Sequence, residues 1–401
     1  MTIDHLVSTT ILVAVILIFV GLANQTLQSA IIYQRHANLA TRCSSLLDSI
    51  LLSSGVPSYW GTNDSAPTVF GLQDPESLKN ELGSFSLMRL RSGTEPVYYS
   101  KTGSYYSNMT IGSGDSLLEP LAETVNYTAV SELLGTNGTY GFQLTLTPTI
   151  TVSISMVQPN PLKFSVNAQG TGSPLSNGTV NYCLIIIDVQ GDYPSYSLNC
   201  GTESLDNLGS GVLDNFTGIN GSSRSFALLA YAYLPGLVGM GYYKQVTDHE
   251  NSVIPLVFDV EDGEVILAHS YDIDGRSNAT ALAYNATFVS VSEDLAFTDN
   301  PLQNSTGMVY SGGENSSYGI LTISKDTSGI LVAAYKKSDG TTGITLMPWG
   351  IGPLSFPISF GESPTGKEWV STDMRQVVVD NVGYQVVLSM WSLEGYEVTG
   401  Q

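Results

Sequence analysis

The chain has few basic residues and few of the side chains on which most catalytic sites depend. Lys and Arg number 15 against 36 Asp and Glu, which gives a formal net charge of −21. A field of that sign repels nucleic acid and acidic membrane surfaces. Only four His and three Cys occur in 401 residues. Nucleic acid is therefore not expected as a partner.

Sequence patterns that mark common enzymes and metal sites are also lacking. His249 and Glu250 begin HENSV rather than the zinc-binding HExxH, and no GxSxG, phosphate-loop or CxxC pattern occurs. Two carboxylate-rich turns, at 259–264 and 272–275, contain the oxygen ligands that calcium prefers, but neither continues as an EF-hand loop. We interpret both as solvated turns and expect no cofactor, no metal and no enzymatic activity. Paired carboxylates of the glycosidase type are the alternative.

The scarcity of charge does not indicate disorder. Charged residues make up 13% of the chain and apolar residues 42%. That apolar share is enough to offset the conformational entropy lost on folding. A chain of this length can form two or three domains, each with a core of its own.

Asn-x-Ser/Thr sequences are more frequent than the composition explains. Twelve occur, whereas 22 Asn in a chain that is roughly one-fifth Ser and Thr would give about five by chance. Asn24 lies in the N-terminal apolar region and is expected to stay bare. We interpret the other eleven as N-linked glycosylation sites of an extracellular, cell-surface protein, the alternative being unused sites in a Ser/Thr-rich chain. These eleven are Asn63, Asn108, Asn126, Asn137, Asn177, Asn215, Asn220, Asn278, Asn285, Asn304 and Asn315.

Two of the three cysteines are spaced for a disulfide across a hairpin. Cys183 and Cys200 bracket a strand–turn–strand pattern with Gly191-Asp192 at its centre. Residues paired across such a hairpin have numbers that sum to 383, as these two cysteines do. The bond would contribute about 3 kcal/mol and indicate an oxidising compartment. Two unpaired buried thiols are the alternative, and Cys43 is interpreted as a small core residue.

One long helix is predicted at the N-terminus. Residues 6–23 carry no charge, and residues 11–23 are almost entirely apolar. An amphipathic stripe follows at intervals of 7, 4, 3 and 4, formed by Ile32, Leu39, Cys43, Leu46 and Ile50. No Pro occurs before Pro57, and Gly55 supplies a C-terminal stop. The pattern therefore predicts a helix over 6–53, apolar in its first half and amphipathic in its second.

The charges beside this helix are unusual for a membrane anchor. The apolar run is close to the roughly 20 residues that a bilayer core requires. Arg35 and Arg42 follow it and no Lys or Arg precedes it, which would place the rest of the chain inside the cell. That orientation conflicts with the glycosylation sequences and the cysteine pair. A short basic leader removed ahead of Met1 would resolve the conflict, and we expect one.

An apolar and then amphipathic helix followed by a β-rich head resembles the type IV pilin superfamily, archaeal members especially. In that family a leader peptidase cuts just before the helix. Mature chains often begin with Met or an aromatic residue, then Thr, aliphatic residues and an acid at the fifth position. This chain begins Met1-Thr2-Ile3-Asp4, with its acid one place early. The resemblance covers about 55 residues and implies that Asp4 pairs with the N-terminal amine of a neighbouring copy.

The resemblance implies a structural subunit of an extracellular filament that passes through the membrane before assembly. Copies of the chain would pack through the helix, with the glycosylated β-head outside. A filament is expected to bury the stripe from Ile32 to Ile50 against other helices. The alternative is a monomeric single-pass membrane-anchored adhesin or binding module, which would fold the stripe onto its own head. The assembly residues are expected to be Asp4, Leu6, Ile11, Val13, Val15, Ile16, Ile18, Phe19, Ile32, Leu39, Leu46 and Ile50.

Beyond Trp60 strand patterns dominate, apart from one short helix predicted at 75–82. Residues 142–156 alternate strictly between apolar and polar, and Pro148 is expected to break this run into two strands. Pro159-Asn160-Pro161 is interpreted as a linker. Strands spaced along the next 90 residues favour an immunoglobulin-like sandwich.

The predicted fold is mainly β, with one long N-terminal α-helix and β-sandwich, immunoglobulin-like ectodomains. A closing hairpin is expected across residues 380–383. The predicted division is a helix over 1–54, a β-rich head domain with a short helix over 55–158, an immunoglobulin-like sandwich over 159–248 and a C-terminal β-rich domain over 249–401.

Overall fold

The computed structural model describes residues 3–77, 80–90, 95–111, 115–170, 172–216, 218–273, 275, 280–292, 294–312, 316–350 and 357–393. The helices are α1 (Ile3–Leu51), α2 (Ser84–Met88), α3 (Tyr127–Leu133) and α4 (Ser270–Ile273). The strands of the first half are β1 (Val97–Tyr99), β2 (Ser104–Ile111), β3 (Asp115–Pro120), β4 (Tyr140–Pro148), β5 (Ile150–Pro159), β6 (Leu162–Gly170), β7 (Ser173–Pro174), β8 (Thr179–Asp188), β9 (Ser195–Ser204) and β10 (Ser210–Phe216). The strands of the second half are β11 (Phe226–Leu234), β12 (Leu237–Gln245), β13 (Val253–Asp259), β14 (Glu264–His269), β15 (Thr280–Val291), β16 (Phe297–Ser311), β17 (Gly319–Thr322), β18 (Gly329–Lys337), β19 (Thr342–Trp349), β20 (Ile358–Gly361), β21 (Val370–Val379) and β22 (Val382–Ser392).

The long N-terminal helix is confirmed, with ends within three residues of the prediction. At 1.5 Å per residue, the 49 residues of α1 extend for about 73 Å. Gly55 follows the helix with φ of +81°, a left-handed conformation that favours glycine. A Cβ at this position would lie 2.6 Å from the carbonyl oxygen of Val69. The turn that ends the helix therefore depends on Gly55.

The short helix predicted at 75–82 is wrong in the described part of that segment. Asn80 has a left-handed backbone with φ of +70°, and the segment from Asn80 to Leu82 bonds to the edge of β21 instead of forming a helix. The Val378 amide donates to the Asn80 carbonyl at 2.8 Å, and the Leu82 amide donates to the Val378 carbonyl at 2.9 Å. Pairing with a sheet edge has overridden the local helix propensity.

The alternating run at 142–156 is broken after Pro148, as predicted, and its two halves enter different sheets. The first half, β4, lies between β20 and β22 in a sheet of order β20-β4-β22-β21. The second half, β5, forms the edge of a sheet of order β10-β6-β5. The two strands are separated only by Thr149, which donates to the carbonyl of Gly383 near the start of β22 at 2.8 Å through its amide and 3.0 Å through its hydroxyl. The single alternating run at 142–156 therefore connects two different sheets of the head.

An immunoglobulin-like sandwich is present. The sheet β10-β6-β5 faces the sheet β12-β11-β8-β9 across a shared core that includes Phe164, Leu184, Phe216 and Phe226. Lettered in chain order, these are strands E-B-A against G-F-C-C′, an order typical of immunoglobulin-like folds. The linker predicted at Pro159-Asn160-Pro161 is wrong, because Pro159 pairs with Leu162 and the segment is the tight turn of the β5–β6 hairpin. The sandwich thus begins at Ile150.

The central strands of the sandwich are apolar on both faces. In β8, Leu184 and Ile186 face the sandwich core, whereas Ile185 and Ile187 belong to the main core of the head. β11 alternates in the same way between the two cores. A sheet covered on both sides needs continuous apolar strands rather than alternating ones. This explains the runs Leu-Ile-Ile-Ile and Phe-Ala-Leu-Leu-Ala.

The remaining sheets share one core and mix strands from distant parts of the sequence. β3 pairs in parallel with β13 at Leu118 and Leu256, in a sheet of order β1-β2-β3-β13-β14-β17. A further sheet has the order β16-β15-β18-β19 and is almost wholly buried along β18 and β19. The strands predicted as separate units at 55–158 and 249–401 are therefore interleaved. The closing hairpin is present, with a two-residue turn at Asp380-Asn381 between Val379 and Val382.

Candidate functional site: a projecting apolar helix

The first half of α1 extends from the head without contact with it. Its thirteen large apolar side chains from Val7 to Ile31 are 50–72% exposed, and they lie on all sides of the helix. No Asp, Glu, Lys or Arg occurs between Asp4 and Arg35. Among the described residues this is the one helix long and apolar enough to cross a membrane, and none of its most apolar stretch is buried. A helix that is apolar all round needs an apolar environment.

Polar side chains in the projecting segment fall into two groups. Hydroxyls bond back to the helix itself: Thr26 donates to the Leu22 carbonyl and Ser29 to the Gln25 carbonyl, each at 2.9 Å. These groups add little polarity, since their donors are used within the helix. The amide side chains of Asn24, Gln25 and Gln28 lie exposed near the middle of α1. The apolar surface is therefore interrupted by amides, with Leu27 and Ile31 exposed beyond them.

The residues predicted for assembly divide between the projecting segment and the head. The six from Ile11 to Phe19 are 52–72% exposed. Ile32 is half-buried, Leu46 packs against the main core, and Leu39 and Ile50 are buried in it. Asp4 and Leu6 belong to the first turns of α1, and their side chains lie outside the described part of the structure.

The second half of α1 packs on β21 and β22 of its own head. Leu39, Cys43, Leu47 and Ile50 are each no more than 5% exposed. Cys43 Sγ lies 3.4 Å from the Leu388 carbonyl oxygen, and burial raises the pKa of this thiol to about 11. Cys43 is therefore an uncharged core residue, as predicted, rather than a reactive one.

Polar contacts at the rim fix the orientation of the helix on the sheet. The Arg375 guanidinium donates to Asp48 Oδ1 through Nε at 3.0 Å and to Ser44 Oγ at 3.1 Å. On the other side, Arg42 lies over the Tyr140 ring at 4.6 Å. The stripe expected to pack on other helices in a filament is thus covered by the head of the same chain. Within α1, the apolar side chains that remain exposed lie mainly in the segment before this stripe.

The predicted disulfide is present. Cys183 in β8 pairs directly with Cys200 in β9 and is bonded to it. The register follows the predicted sum of 383 down to Asp188 and Ser195, where the ladder ends. The connection is a loop of six residues rather than the predicted two-residue turn. An apolar N-terminal helix together with a disulfide is typical of a surface or secreted protein.

The predicted glycosylation sites differ in accessibility. Six are exposed: Asn126, Asn137, Asn177, Asn215, Asn220 and Asn304. Asn63, Asn108 and Asn285 are partly buried, and Asn278 and Asn315 lie outside the described residues. Asn285 lies in β15 between two neighbouring strands, and its amide donates to the Pro194 carbonyl at 3.0 Å. Thr287, which completes its acceptor sequence, is fully buried.

The buried carboxyl group of Glu119 and the half-buried one of Glu123 lie near Arg89, and sequence reasoning missed them. Glu119 in β3 is 3% exposed, and neither of its carboxyl oxygens has a hydrogen-bond partner among the described residues. Burial raises the pKa of Glu119 to about 8 and that of Glu123 to about 7. Arg89 opposes this only in part, because its guanidinium donates to the backbone carbonyls of Glu123, Asn63 and Ser65 at 2.6–3.3 Å. An unpaired buried carboxyl of this kind is stable in its neutral form.

The acidic turns weighed as calcium sites serve local structure where they are described. Asp259 Oδ1 accepts the Asp262 amide at 2.9 Å, and Asp272 Oδ1 accepts the Ser311 hydroxyl at 2.7 Å. Asp274 lies outside the described residues. Across the ranges that the structure describes, no three His, Cys, Asp or Glu side chains are grouped to hold a metal ion.

No family model and no curated protein sequence matches the chain. Several solved structures are weakly similar. Trypsin-activated α2-macroglobulin from Escherichia coli is 9% identical over 68% of this chain and 20% of its own, with a TM-score of 0.21. Red sea bream transglutaminase is 11% identical over 62% and 40%, with a TM-score of 0.17. A tetra-tandem repeat in the extending region of a large adhesion protein is 13% identical over 62% and 75%, with a TM-score of 0.18. This chain spans about a fifth of the α2-macroglobulin, and similarities this weak carry no functional argument.

Proposed function

We propose that the chain is the structural subunit of an extracellular filament similar to a type IV pilus. Projecting segments of α1 from many copies form its core, and glycosylated β-heads form its surface. The observation that carries the proposal is the apolar surface of α1, which encircles the helix and extends further than one bilayer crossing.

The length of that surface favours helix packing over a simple anchor. A bilayer core covers about 20 helical residues. If it covers residues 3–22, then Leu27, Ile31 and Tyr33 remain 62%, 51% and 78% exposed to water. If it is shifted to cover Leu27 and Ile31, then it also takes in amides near Asn24, which are costly in lipid. A helix bundle accommodates both kinds of side chain, because amides can pair between helices while the apolar groups pack.

The energy available for assembly is large. Thirteen apolar side chains at 50–72% exposure would contribute on the order of 10–20 kcal/mol per subunit if fully buried, before the entropy of association is subtracted. Surface of this kind is not stable in water, so the segment moves from lipid to a protein core during assembly. The net charge of −21 keeps the heads apart except where the helices hold them together.

The test is electron microscopy of material sheared from the cell surface, with a charged variant and a matched apolar one. Leu27→Asp with Ile31→Asp should abolish fibres and leave the protein in the membrane fraction, since residues 3–22 can still span. Leu27→Met with Ile31→Leu keeps the surface apolar and should form fibres. The proposal is wrong if the native protein occurs only in detergent extracts, or if the charged variant forms normal fibres.

The second candidate is a monomeric membrane-anchored adhesin or binding module. It is favoured by the packing of the Ile32–Ile50 stripe on the head of the same chain, which leaves a complete folded unit on a single helical stalk. In that case, native protein is found only in the membrane fraction. The charged and apolar variants at 27 and 31 would then be retained in membranes equally well.

A further inference from the structure

We propose that the cleft beside Asn63 is the binding site of the N-linked glycan carried by Asn63 itself, and that it accepts uncharged sugars. The inference rests on the surface location proposed above and not on the filament. The cleft, the attachment atom and the charge of the lining each contribute to the argument.

The cleft has a volume of about 540 Å³ and is open to solvent. It is lined by residues of the segments 58–63, 74–76, 81–86 and 325–328, together with Asp380 in the β21–β22 turn. Its volume lies in the range of about 300–1,000 Å³ that is typical of small-molecule sites. A cavity of this size between loops can hold a short oligosaccharide.

The lining presents the groups that recognise sugars. Hydroxyls of Ser58, Thr62 and Thr327 line the cleft together with the rings of Tyr59 and Phe85. Tyr59 is 49% exposed, and its hydroxyl donates to Glu76 Oε1 at 3.4 Å, which orients the ring. Sugar hydroxyls exchange hydrogen bonds with such side chains, and the apolar faces of sugar rings pack on aromatic rings.

The charge of the lining selects the class of sugar. Six carboxyl groups and one ammonium group line the cleft, those of Asp74, Glu76, Glu81, Glu261, Asp326, Asp380 and Lys325. Carboxylates accept strong hydrogen bonds from sugar hydroxyls but repel uronic acids and sulfated sugars. Burial raises the pKa of Asp380 to about 6, so this group is still largely ionised at neutral pH. The glycan in the cleft is therefore uncharged.

Asn63 is placed to deliver that glycan. Its Oδ1 accepts the Ser65 amide at 2.9 Å, which leaves Nδ2, the atom that carries the sugar. Its carbonyl accepts a bond from Arg89 Nη1 at 2.6 Å, so the backbone at the rim is fixed from inside the head. A tethered ligand has an effective concentration of the order of millimolar, which is enough to occupy a weak sugar site. Neither a free basic peptide nor a second copy has this advantage.

The experiment is periodate oxidation of the native glycoprotein, followed by mass spectrometry of its glycopeptides. Sugars with adjacent hydroxyls are oxidised where the reagent reaches them. We expect the glycan at Asn63 to be oxidised at least about tenfold more slowly than that at Asn137, whose turn is exposed and lies outside the cleft. After unfolding, the two rates should become equal, which controls for a difference in glycan composition.

A pair of variants gives a second measurement. Ser65→Ala removes the acceptor sequence while retaining the Asn63 side chain, and Thr139→Ala removes the acceptor sequence of Asn137. Nitration of Tyr59 should increase severalfold in the first variant and remain unchanged in the second.

Equal oxidation rates for the glycans at Asn63 and Asn137 in the native protein, or unchanged nitration of Tyr59, would overturn the inference. Equal oxidation rates are also the result expected if a basic peptide or another copy of the chain fills the cleft. A bare Asn63 with sugars at the exposed sites would overturn this inference alone. Bare acceptor sites throughout would also overturn the proposed glycosylated surface.

Discussion

The buried carboxyl of Glu119 should make the head more stable in acid than at slightly alkaline pH. In the unfolded chain the pKa of this group is about 4.5, and in the head it is raised to about 8. The folded state therefore binds the proton more tightly. Stability from this group is complete below about pH 4.5, declines as the pH rises, and stops declining above about pH 8. Glu123, with a pKa raised to about 7, acts in the same direction.

The magnitude follows from the difference between the two pKa values. A difference of roughly 3.5 units at about 1.4 kcal/mol per unit corresponds to about 4–5 kcal/mol of unfolding free energy. That is a large part of the 5–15 kcal/mol that is typical of a folded domain. Glu119→Gln keeps the shape of the side chain and removes the titration. The variant should match the native protein within about 1 kcal/mol at pH 4 and exceed it by several kcal/mol at pH 8.

The assay is urea unfolding of the full chain in detergent from pH 4 to pH 8.5, followed by tryptophan fluorescence. Trp60 is buried 5.4 Å from the Arg89 guanidinium and reports on this part of the head. Glu250→Gln is the control, because Glu250 is exposed and its replacement likewise exchanges one carboxyl group for an amide. Equal stability of native protein and Glu119→Gln at pH 8 would refute the reasoning. So would a native protein whose stability does not change across this range.

Three further predictions follow from the head and its surface. Replacing Cys183 and Cys200 with Ala should lower the unfolding free energy by about 3 kcal/mol in urea titration, and no loss would contradict a stabilising disulfide. Leu47→Ala should lower the unfolding free energy by about 2–5 kcal/mol, because it leaves a cavity between α1 and the sheet on which it packs. Ser45→Ala, on the exposed face of α1, should change the unfolding free energy little. Equal effects of the two substitutions in the same titration would contradict the packing of α1 on the head. Peptide mapping should find glycans at the six exposed sites but none at Asn24 or Asn285, and a glycan on Asn285 would show that β15 is not paired as described.

The helix, the main strands and the disulfide register could be predicted because each is a local pattern. Alternation in β4 and β5 and apolar runs in β8 and β11 are visible within about ten residues. The identity of the strand that pairs with each of them is not visible in so short a segment. The parallel pair of β3 and β13 joins residues 138 positions apart, Leu118 and Leu256, and no periodicity specifies it.

The segments that were predicted wrongly have local sequence patterns that are compatible with two different structures. Pro159-Asn160-Pro161 suits a tight hairpin turn as well as a linker, and only the pairing of Pro159 with Leu162 distinguishes them. Residues 75–82 have helix-favouring side chains, but Asn80 and Leu82 bond to an edge strand nearly 300 residues later. Glu119 looks like an ordinary solvent-facing position in a short strand. Its burial depends on tertiary packing, which also brings Arg89 from another part of the sequence close enough to lower its pKa in part.

The docking of α1 on the last hairpin has a consequence for synthesis. Cys43 contacts the Leu388 carbonyl across 345 residues, so the strands on which the helix packs leave the ribosome long after the helix itself. At a synthesis rate of 5–20 residues per second, the strands on which the helix packs are completed roughly 20–70 s after the helix. During that time its amphipathic half, as well as its apolar half, needs another environment. Insertion of the helix while the head is still being made would meet that need, and the head would pack on the helix only after β21 and β22 have been synthesised.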